Sequence, residues 1–340
     1  MMHKSVLLKE IISFFEPKPN ENFIDATFGD GGHAIEILKH TAPEGKILAI
    51  DWDKKAIESF DGHGLDTRSI FKYASEPQQI APAEASEQDR SGVERASVSN
   101  AARLILACGN FADIHKIAGS VNFKGAKGVL FDFGFRTFHI EESGRGFSFQ
   151  KDEPLDMRYH LPQIHADQTR INADNSLTAE KIVNEWPERD LERIFREYGE
   201  ERNAKKIARA IVENRRSASI KTTRELAEII DRSNRTYGTN RTKILARIFQ
   251  ALRIAVNNEL ENIKLGLEEA WNVISKDGKI AAISFHSLED RIVKNFFADK
   301  KKIGEGEILT KKPVIASEEE IKNNPKSRSA KLRVIRKLGF

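Results

Sequence analysis

The chain has 340 residues, of which 39% are hydrophobic and 8% aromatic, and its formal net charge is +4. These proportions are ordinary for a globular protein and predict one main domain that carries an insertion. The sequence has no run of about 18 apolar residues, and its charged start, MMHKSVLLKEIISFF, does not resemble a signal peptide. The single cysteine, Cys108, excludes an internal disulfide and a cysteine-rich zinc site. We therefore expect a cytoplasmic protein without a membrane partner, and a buried Cys108.

The first part of the chain alternates strand and helix patterns. Strands are predicted at NFIDATF, GKILAIDWD, RLILACGNF and KGVLFDFGF, and helices follow the first two at HAIEILKHT and KKAIESF. This order predicts a doubly wound α/β sheet of parallel strands with helices on both faces. Residues 74–102 are rich in Ala, Ser, Glu and Gln, so we expect a mobile or partly helical surface insertion there.

The pattern turns helical between about residues 176 and 274. Four helices are predicted at SLTAEKIVNEW, DLERIFREYG, ERNAKKIARAIVENRR and TTRELAEIIDRS, and one long helix at 244–274. Thr222 and Thr223 precede Glu225, which predicts a capping box. The strand GKIAAISFH then returns, followed by a helix and a basic tail. We therefore predict a sheet domain, 1–139 with 248–340, and an inserted helical subdomain, 140–247, that recognises the substrate.

Charge is distributed unevenly along the chain. Residues 136–200 hold 14 acidic and 9 basic side chains, residues 201–253 hold 5 acidic and 14 basic ones, and the last twenty residues hold 7 basic and no acidic ones. Two basic blocks suit a polyanionic partner, because neutralised phosphates release counterions. The alternative is that these charges lie on solvated helix faces.

A glycine-rich turn follows the first predicted strand. Gly29, Gly31 and Ala34 satisfy the pattern G-x-G-x-x-A, and Asp51 ends the second strand 20 residues beyond Gly31. This geometry serves both dinucleotides and S-adenosylmethionine, whose ribose hydroxyls bind the second-strand carboxylate. Asp25, four residues before Gly29, would repel a pyrophosphate but attract the ammonium and sulfonium groups of S-adenosylmethionine. We therefore favour S-adenosylmethionine over a dinucleotide; a plain tight turn is the remaining alternative.

A further carboxylate, Asp132, lies in LFDFGF at the end of the fourth predicted strand. The kinase interpretation of Asp-Phe-Gly fails, since the other kinase motifs are missing and the glycine turn opens a helix. Ligands of doubly wound sheets bind at the carboxyl ends of the strands, which places Asp25, Asp51 and Asp132 around one crevice. Three carboxylates also suit a divalent metal, but we expect the cofactor to hold them apart and predict no metal.

Motifs along almost the whole chain resemble one family. They are HKSVLLKEII, DATFGDGGHAIEIL, ILAIDWDKKAI, GNFADI, GRGFSF, PLDMR, YGEERNAKKIARAIVENR, FQALRIAVNNEL, ISFHSLEDRIVKNFF and NNPKSRSAKLRV. In this order they resemble the RsmH (MraW) family of small-subunit ribosomal RNA methyltransferases. The resemblance implies a class I methyltransferase that transfers a methyl group from S-adenosylmethionine to N4 of a cytidine in the decoding centre of 16S ribosomal RNA. Its implied partner is that RNA or the small ribosomal subunit; a homodimer stays open.

The resemblance also implies site residues. The cofactor contacts carried over to this sequence are Gly31, Gly32, His33, Asp51, Phe111 and Asp132. The chain departs from the family at His139, which stands where the family has a glutamine that touches the cofactor. A second departure is KILARI at 243–248, where only Arg247 is kept from the family pattern. Both departures flank the expected acceptor site, so an assembly factor that has lost catalysis is one alternative function. A nicotinamide-dependent dehydrogenase is the other.

Methylation of an exocyclic amine requires acceptors that orient the nitrogen and remove its proton. We predict Asp132 as the catalytic residue, with Phe133 or Phe135 as a stacking platform for the base or, alternatively, as core residues. RNA contacts are predicted at Arg145, Phe147 and Arg247; loop packing is the alternative for the first two. Arg253 lies six residues from Arg247, so at most one of them is expected to reach RNA. His286 is expected either at the active site or bonded to Glu289 or Asp290.

Overall fold

The structure is a computed structural model that describes residues 4–58, 60, 70–74, 102–134, 143–159, 177–234 and 239–339. The chain divides into two compact units: Met1–Gly134 with Asn262–Phe340, here called the sheet unit, and Phe135–Glu261, here called the helical unit. The sequence predicted domain boundaries at 139/140 and 247/248. The structure places them at 134/135 and 261/262. Substrate recognition by the inserted unit stays a prediction.

The sheet unit contains nine strands and seven α-helices within the described residues. The strands are β1 (Asn22–Asp25), β2 (Ile47–Asp51), β3 (Ile70–Ala74), β4 (Leu104–Cys108), β5 (Ala126–Asp132), β6 (Ile274–Ser284), β7 (Gly306–Ile308), β8 (Val314–Ile315) and β9 (Lys331–Lys337). The helices are α1 (Leu8–Phe15), α2 (Gly32–His40), α3 (Lys54–Glu58), α4 (Ile114–Ser120), α10 (Glu259–Val273), which begins in the helical unit, α11 (Ser287–Lys302) and α12 (Glu318–Asn323).

The sheet has the strand order β3-β4-β2-β1-β5-β6-β9-β7, and β8 pairs with β9. The first six strands of this order are parallel, whereas β9 pairs antiparallel with β6, β7 and β8. Alternate strand residues enter two cores on opposite faces: Ile24 packs with helices α4, α10 and α11, and Phe23 packs with α1 and α2. The predicted doubly wound sheet with helices on both faces is confirmed. From β1 the chain adds strands first in one direction and then, starting with β5, in the other. Doubly wound sheets bind ligands at such a point, between β1 and β5.

Two predictions for the sheet unit are wrong. Strand β3 was not predicted, and Ala74, assigned to the surface insertion, is its last residue. Ala102, the other end of that predicted insertion, is buried, while 75–101 lie outside the described residues. The prediction of a basic tail is also wrong, because the C-terminal strand β9 lies between β6 and β7 in the sheet. Its buried residues Leu332, Val334 and Ile335 lie among four charged ones, so the basic composition concealed a strand.

The helical unit contains α5 (Ala179–Glu185), α6 (Glu188–Glu197), α7 (Ala204–Arg215), α8 (Thr223–Asn234) and α9 (Thr239–Asn257). Their apolar faces share one core with the segment 143–159. The predicted capping box is confirmed: Glu225 N–H donates to Thr222 Oγ1 at 3.3 Å, and Thr222 N–H donates to Glu225 Oε2 at 3.1 Å. The prediction of a single long helix was wrong, because Asn258 adopts a φ angle of 50° and separates α9 from α10. Asparagine tolerates this left-handed conformation better than most residues.

None of the helices in the described ranges combines the length and apolar character that crossing a lipid bilayer requires.

Candidate cofactor site

Three carboxylates lie at the carboxyl ends of neighbouring strands of the sheet unit. Asp25 ends β1 and is paired with Ala49 of β2 on one side and Leu130 of β5 on the other. Asp51 ends β2, and Asp132 ends β5. Asp51 and Asp132 both lie near enough to Asp25 to raise its pKa. The structure therefore brings the three predicted carboxylates to one edge of the sheet, at the point where the strand order reverses.

Asp25 is the most deeply buried member of this group, with 1% of its surface exposed. Burial raises the pKa of Asp25 to about 7, and the negative charges of Asp132 and Asp51 add to this effect. The Thr27 N–H donates to Asp25 Oδ1 at 3.2 Å and opposes the shift. The second oxygen, Oδ2, has no hydrogen-bond partner among the described residues. A buried carboxylate oxygen of this kind favours a cationic or hydrogen-bond-donating group beside it.

Asp51 connects the second strand to the glycine turn. Its Oδ2 accepts a hydrogen bond of 2.7 Å from the Gly29 N–H, and its Oδ1 accepts one of 2.8 Å from the Asp53 N–H. Carboxylates accept backbone hydrogen bonds strongly because the acceptor is charged. The orientation of Asp51 is thus fixed by the turn itself, while the side chain stays partly exposed at the end of β2.

Backbone conformation and close packing both favour glycine in this turn. Gly29 and Gly31 have φ angles of 57° and 81°, which favour glycine. A Cβ on Gly31 would come within 2.8 Å of the Phe28 ring, and a Cβ on Gly32 would collide with the Ser5 hydroxyl group. The segment that precedes α1 therefore packs directly against the start of α2. Local sequence patterns do not indicate this contact, because Ser5 and Gly32 lie 27 positions apart.

His33 presents a defined tautomer. Its Nε2 lies 2.9 Å from the Val6 carbonyl oxygen, which only accepts, so Nε2 carries the proton. Burial lowers the pKa of His33 to about 4, so the ring is neutral at pH 7 and Nδ1 is an acceptor. Nδ1 lies 4.0 Å from Asp132 Oδ2. Two acceptors thus face each other at a distance that a group with several N–H donors can bridge.

Thr27 is a site residue that the sequence analysis missed. Besides its bond to Asp25, its Oγ1 accepts a 2.6 Å hydrogen bond from the Asp132 N–H. Asp132 Oδ1 in turn lies 3.3 Å from the Gly134 N–H. Thr27 therefore fixes the ends of β1 and β5 relative to each other. A β-branched hydroxyl residue two positions after a strand-end aspartate was the available signal.

The aromatic residues beside the strand ends pack on one another. Phe111 lies at the start of a 3-10 turn, with its ring 5.8 Å from that of Phe131 and 5.9 Å from that of Phe133. Gly266 of α10 allows this, since a Cβ there would come within 2.6 Å of the Phe111 ring. Phe133 is half-buried against the core, as its alternative assignment stated. Phe111 is also half-buried, so part of its surface remains accessible for a ligand.

The contacts of Cys108 and His286 indicate structural roles for both residues. Cys108 is half-buried, whereas the sequence predicted a buried cysteine. Burial, and after it the charge of Asp51, raises the pKa of Cys108 to about 11, so its side chain stays a thiol. His286 caps α11 in a capping box with Glu289, so its second alternative applies. Asp290 pairs instead with Arg333, at 2.6 Å.

The predicted RNA-contacting residues of the helical unit differ in their availability. Phe147 is buried in the core and stacks on Tyr159 with ring centroids 5.5 Å apart, and Arg145 Nη1 donates to the carbonyl oxygens of Arg158 and Tyr159. These contacts favour the loop-packing alternative for both residues, and RNA contact by either of them stays a prediction.

The two arginines of α9 also differ. Arg253 is 11% exposed and forms two hydrogen bonds, of 2.8 and 3.0 Å, with Glu259. Arg247 is 47% exposed, although its Nη1 lies 3.3 Å from Glu201. Of the two, Arg247 is thus the one that solvent reaches. Phe135 and His139 lie outside the described residues, so the structure does not test their predicted roles.

Comparison with known proteins identifies the family. The model of the MraW methylase family matches residues 1–63 and 62–338. The chain belongs to the MraW methylase family. Its similar relatives include proteins named ribosomal RNA small subunit methyltransferase H, from Sulfurihydrogenibium sp. (strain YO3AOP1) at 42% identity and from Persephonella marina at 40%. Each alignment covers 99% of this chain and 99% of the relative.

The family assignment agrees with the resemblance inferred from the motifs and with the class I methyltransferase fold. A solved structure of an rRNA methylase from Streptococcus thermophilus also aligns over the whole of both chains, at 8% identity and a TM-score of 0.39. The family assignment is based on the sequence matches. Those matches extend over both the sheet unit and the helical unit.

Proposed function

We propose that this protein transfers a methyl group from S-adenosylmethionine to N4 of a cytidine in the decoding centre of 16S ribosomal RNA. The observation that carries the proposal is the set of acceptors at the strand ends, Asp25 Oδ2, Asp132 Oδ2 and His33 Nδ1, in a chain of the MraW methylase family. Full-length relatives named as small-subunit ribosomal RNA methyltransferases support the substrate class. An RNA substrate of this kind also suits a cytoplasmic protein.

The residues at the strand ends fit S-adenosylmethionine better than a dinucleotide. An ammonium group near Asp25 would give the buried carboxylate a partner and lower its raised pKa. A pyrophosphate at the same turn would face three carboxylates and be repelled. We assign Asp51 to the ribose hydroxyls, Phe111 to the adenine, and the backbone at Gly31, Gly32 and His33 to the methionine part.

The reaction needs little covalent help from the protein. S-adenosylmethionine supplies an electrophilic methyl group on a sulfonium. The chain must hold the exocyclic amine in line with that methyl group and accept a proton. Asp132 is our candidate for orienting the amine, since Thr27 and Gly134 fix its position at the end of β5. Phe133, half-buried beside Asp132, supplies an aromatic face next to the same strand end.

RNA binding is assigned to the helical unit on the basis of its charge. Lys205, Lys206 and Arg209 are exposed along the solvent side of α7, whose other side is buried, and the exposed Arg216 directly follows the helix. Glu213 is the acidic residue of this exposed face, where it pairs with Arg209 at 2.8 Å. A basic face of this kind binds phosphates without reading base sequence. We infer that α7, together with Arg247, supplies phosphate contacts.

A relative that has kept the RNA surface but lost catalysis is the second candidate, and the departure at His139 is the observation that favours it. Radiolabelled S-adenosylmethionine incubated with small ribosomal subunits, followed by mass mapping of modified cytidine, separates the two. Methyl transfer to a single cytidine supports the enzyme. Tight binding of cofactor and subunit without transfer would support the catalytically impaired relative. In a separate titration, NADH that quenches tryptophan fluorescence would support the dehydrogenase.

A further inference from the structure

A contact between the two ends of the chain lies next to the glycine turn. The Leu7 N–H donates to Glu320 Oε1 of α12 at 2.8 Å, and Asn324 Nδ2 donates to the Lys4 carbonyl oxygen at 3.0 Å. These two bonds join residues more than 300 positions apart in the sequence. The segment Lys4–Leu7 is therefore fixed by the last helix of the sheet unit.

Leu7 has an unusual backbone in this segment. Its φ and ψ angles are 53° and 33°, in the left-handed region, although it is a branched residue and is fully buried. Such a conformation is strained in a non-glycine residue and persists only where surrounding contacts determine it. The charged acceptor Glu320 is one such contact, because a carboxylate binds an amide N–H more strongly than a neutral group does.

The segment also contacts the candidate cofactor site directly. Val6 precedes Leu7 and presents its carbonyl oxygen to His33 Nε2, while Ser5 lies against Gly32 at the start of α2. Glu320 is close enough to His33 to act on its pKa. The carbonyl of Val6 thus determines which ring nitrogen of His33 carries the proton and which one faces Asp132.

We propose that Glu320 is a positioning residue for the cofactor site: it fixes Leu7 and Val6, and through them the orientation of His33. The cofactor named here rests on the proposed function. The acceptor at His33 Nδ1 faces Asp132 only while Nε2 is bound to Val6. Loss of the Glu320 bond lets Leu7 relax to an ordinary backbone conformation and withdraws the Val6 carbonyl from the ring.

The experiment compares Glu320→Ala with Glu320→Gln, whose amide oxygen still accepts from Leu7. Glu319→Ala, which removes an exposed carboxylate of the same helix, is the matched control. The readouts are the solvent-protected Nε2–H resonance of His33 in protein labelled with ¹⁵N-histidine, S-adenosylmethionine affinity by calorimetry, and melting temperature. We expect Glu320→Ala to lose the resonance and bind the cofactor about tenfold more weakly, and the other two variants to resemble the wild type.

A folded Glu320→Ala protein with the His33 resonance and cofactor affinity of the wild type overturns the proposal. If that variant is insoluble, the resonance is measured in Glu320→Asp, whose shorter side chain keeps the charge but withdraws the carboxylate from the Leu7 N–H. A weakened resonance there supports the proposal, and an unchanged one overturns it. Failure of the wild type itself to bind S-adenosylmethionine would instead contradict the proposed function, while the His33 resonance would still test the role of Glu320.

Discussion

Asp25 and His33 respond to pH in opposite directions. The pKa of Asp25 is raised from 3.8 to about 7, so its contribution to stability is present at low pH and is lost as pH rises through 7. The pKa of His33 is lowered from 6.5 to about 4, so its contribution is present above 6.5 and is lost as pH falls towards 4. Between about pH 4 and 7 the two effects oppose each other. Replacing one residue therefore exposes the pH dependence of the other.

For Asp25→Asn we expect the unligated variant to gain stability relative to the wild type as pH rises from 5 to 8. The wild type must ionise a buried carboxyl over this range, whereas the amide has no charge to desolvate. Urea unfolding of both proteins at four pH values measures the difference. A difference in unfolding free energy that stays constant from pH 5 to 8 would show that Asp25 keeps an ordinary pKa.

The same variant tests the cationic ligand. If Asp25 must be ionised to pair with the ammonium group, S-adenosylmethionine affinity of the wild type should fall as pH drops below about 7. Asp25→Asn should bind more weakly and without this dependence. The predicted role of His139 gives a competing cause, because its protonation below about pH 6.5 also disfavours a cationic ligand. Calorimetry with Asp25→Asn and His139→Gln identifies the responsible residue as the one whose replacement abolishes the pH dependence.

Asp51→Ala should weaken cofactor binding by one to two decades, because it removes a charge-assisted bond worth roughly 1.5 to 3 kcal/mol. The structure adds a second consequence, since the variant also loses the acceptor for the Gly29 N–H. Asp51→Asn retains one carbonyl acceptor and should lose less. Unchanged affinity of Asp51→Ala in calorimetry would contradict the assignment of this residue to the ribose.

At the level of single elements, strand β3 changes what can be expected of the segment 74–102. The low apolar content of this segment favoured its replacement by a short Gly/Ser linker without loss of fold or activity. However, β3 and β4 are parallel neighbours, paired from Ile70 with Leu104 to Ala74 with Cys108. A connection between parallel neighbours must return along the sheet and needs about a dozen or more residues.

We therefore expect that replacing 75–101 by about four Gly/Ser residues destabilises the protein, and that about fifteen such residues preserve melting temperature and methyl transfer. Both replacements keep Ala74 and the buried Ala102. Thermal unfolding of the two proteins makes the comparison. Equal melting temperatures for the short and long linkers would contradict a structural requirement for the parallel crossover.

The basic side of helix α7 is the candidate surface for RNA phosphates. Lys205→Glu combined with Lys206→Glu should weaken binding to small-subunit RNA and reduce its salt dependence, because fewer counterions are released. The control is Lys311→Glu combined with Lys312→Glu, an adjacent exposed lysine pair in the sheet unit. Binding measured from 50 to 200 mM salt should show the effect in the α7 variant alone. Equal losses in the two variants would indicate general electrostatic attraction and no particular role for α7.

For the whole molecule, the sequence predicted what local patterns determine. Apolar runs identified β1, β2, β4, β5 and β6, and the strand-end positions of Asp25, Asp51 and Asp132 followed from them. It missed contacts between distant segments: Ser5 against Gly32, and Glu320 at Leu7. No periodicity reports such pairs, because each is formed only after the sheet has brought the chain ends together. Sequence patterns also mispredicted elements whose local composition conflicts with their place in the fold, such as the basic strand β9.

The contacts of strand β9 distinguish between two interpretations of the C-terminal residues. A mobile basic tail that binds RNA should be removable without unfolding, but the basic residues of β9 are engaged within the sheet unit. Arg333 pairs with Asp290, Arg336 pairs with Glu307, and Lys337 Nζ donates to the carbonyl oxygens of Trp271 and Ile274. Their positive charge is thus used within the fold, which leaves less of it for a polyanionic partner than the composition suggested.

Deleting residues 331–340 should therefore abolish folding of the sheet unit. The deletion removes Leu332, Val334 and Ile335, all fully buried, together with the strand that joins β6 to β7. Burial of three such side chains contributes roughly 5 to 9 kcal/mol, which is comparable with the about 5 to 15 kcal/mol by which domains are stable. Solubility and thermal unfolding of the truncated protein measure this loss, with Lys331→Ala, at the half-buried first residue of β9, as the control. A truncated protein with the wild-type melting temperature and weaker RNA binding would establish the tail interpretation instead.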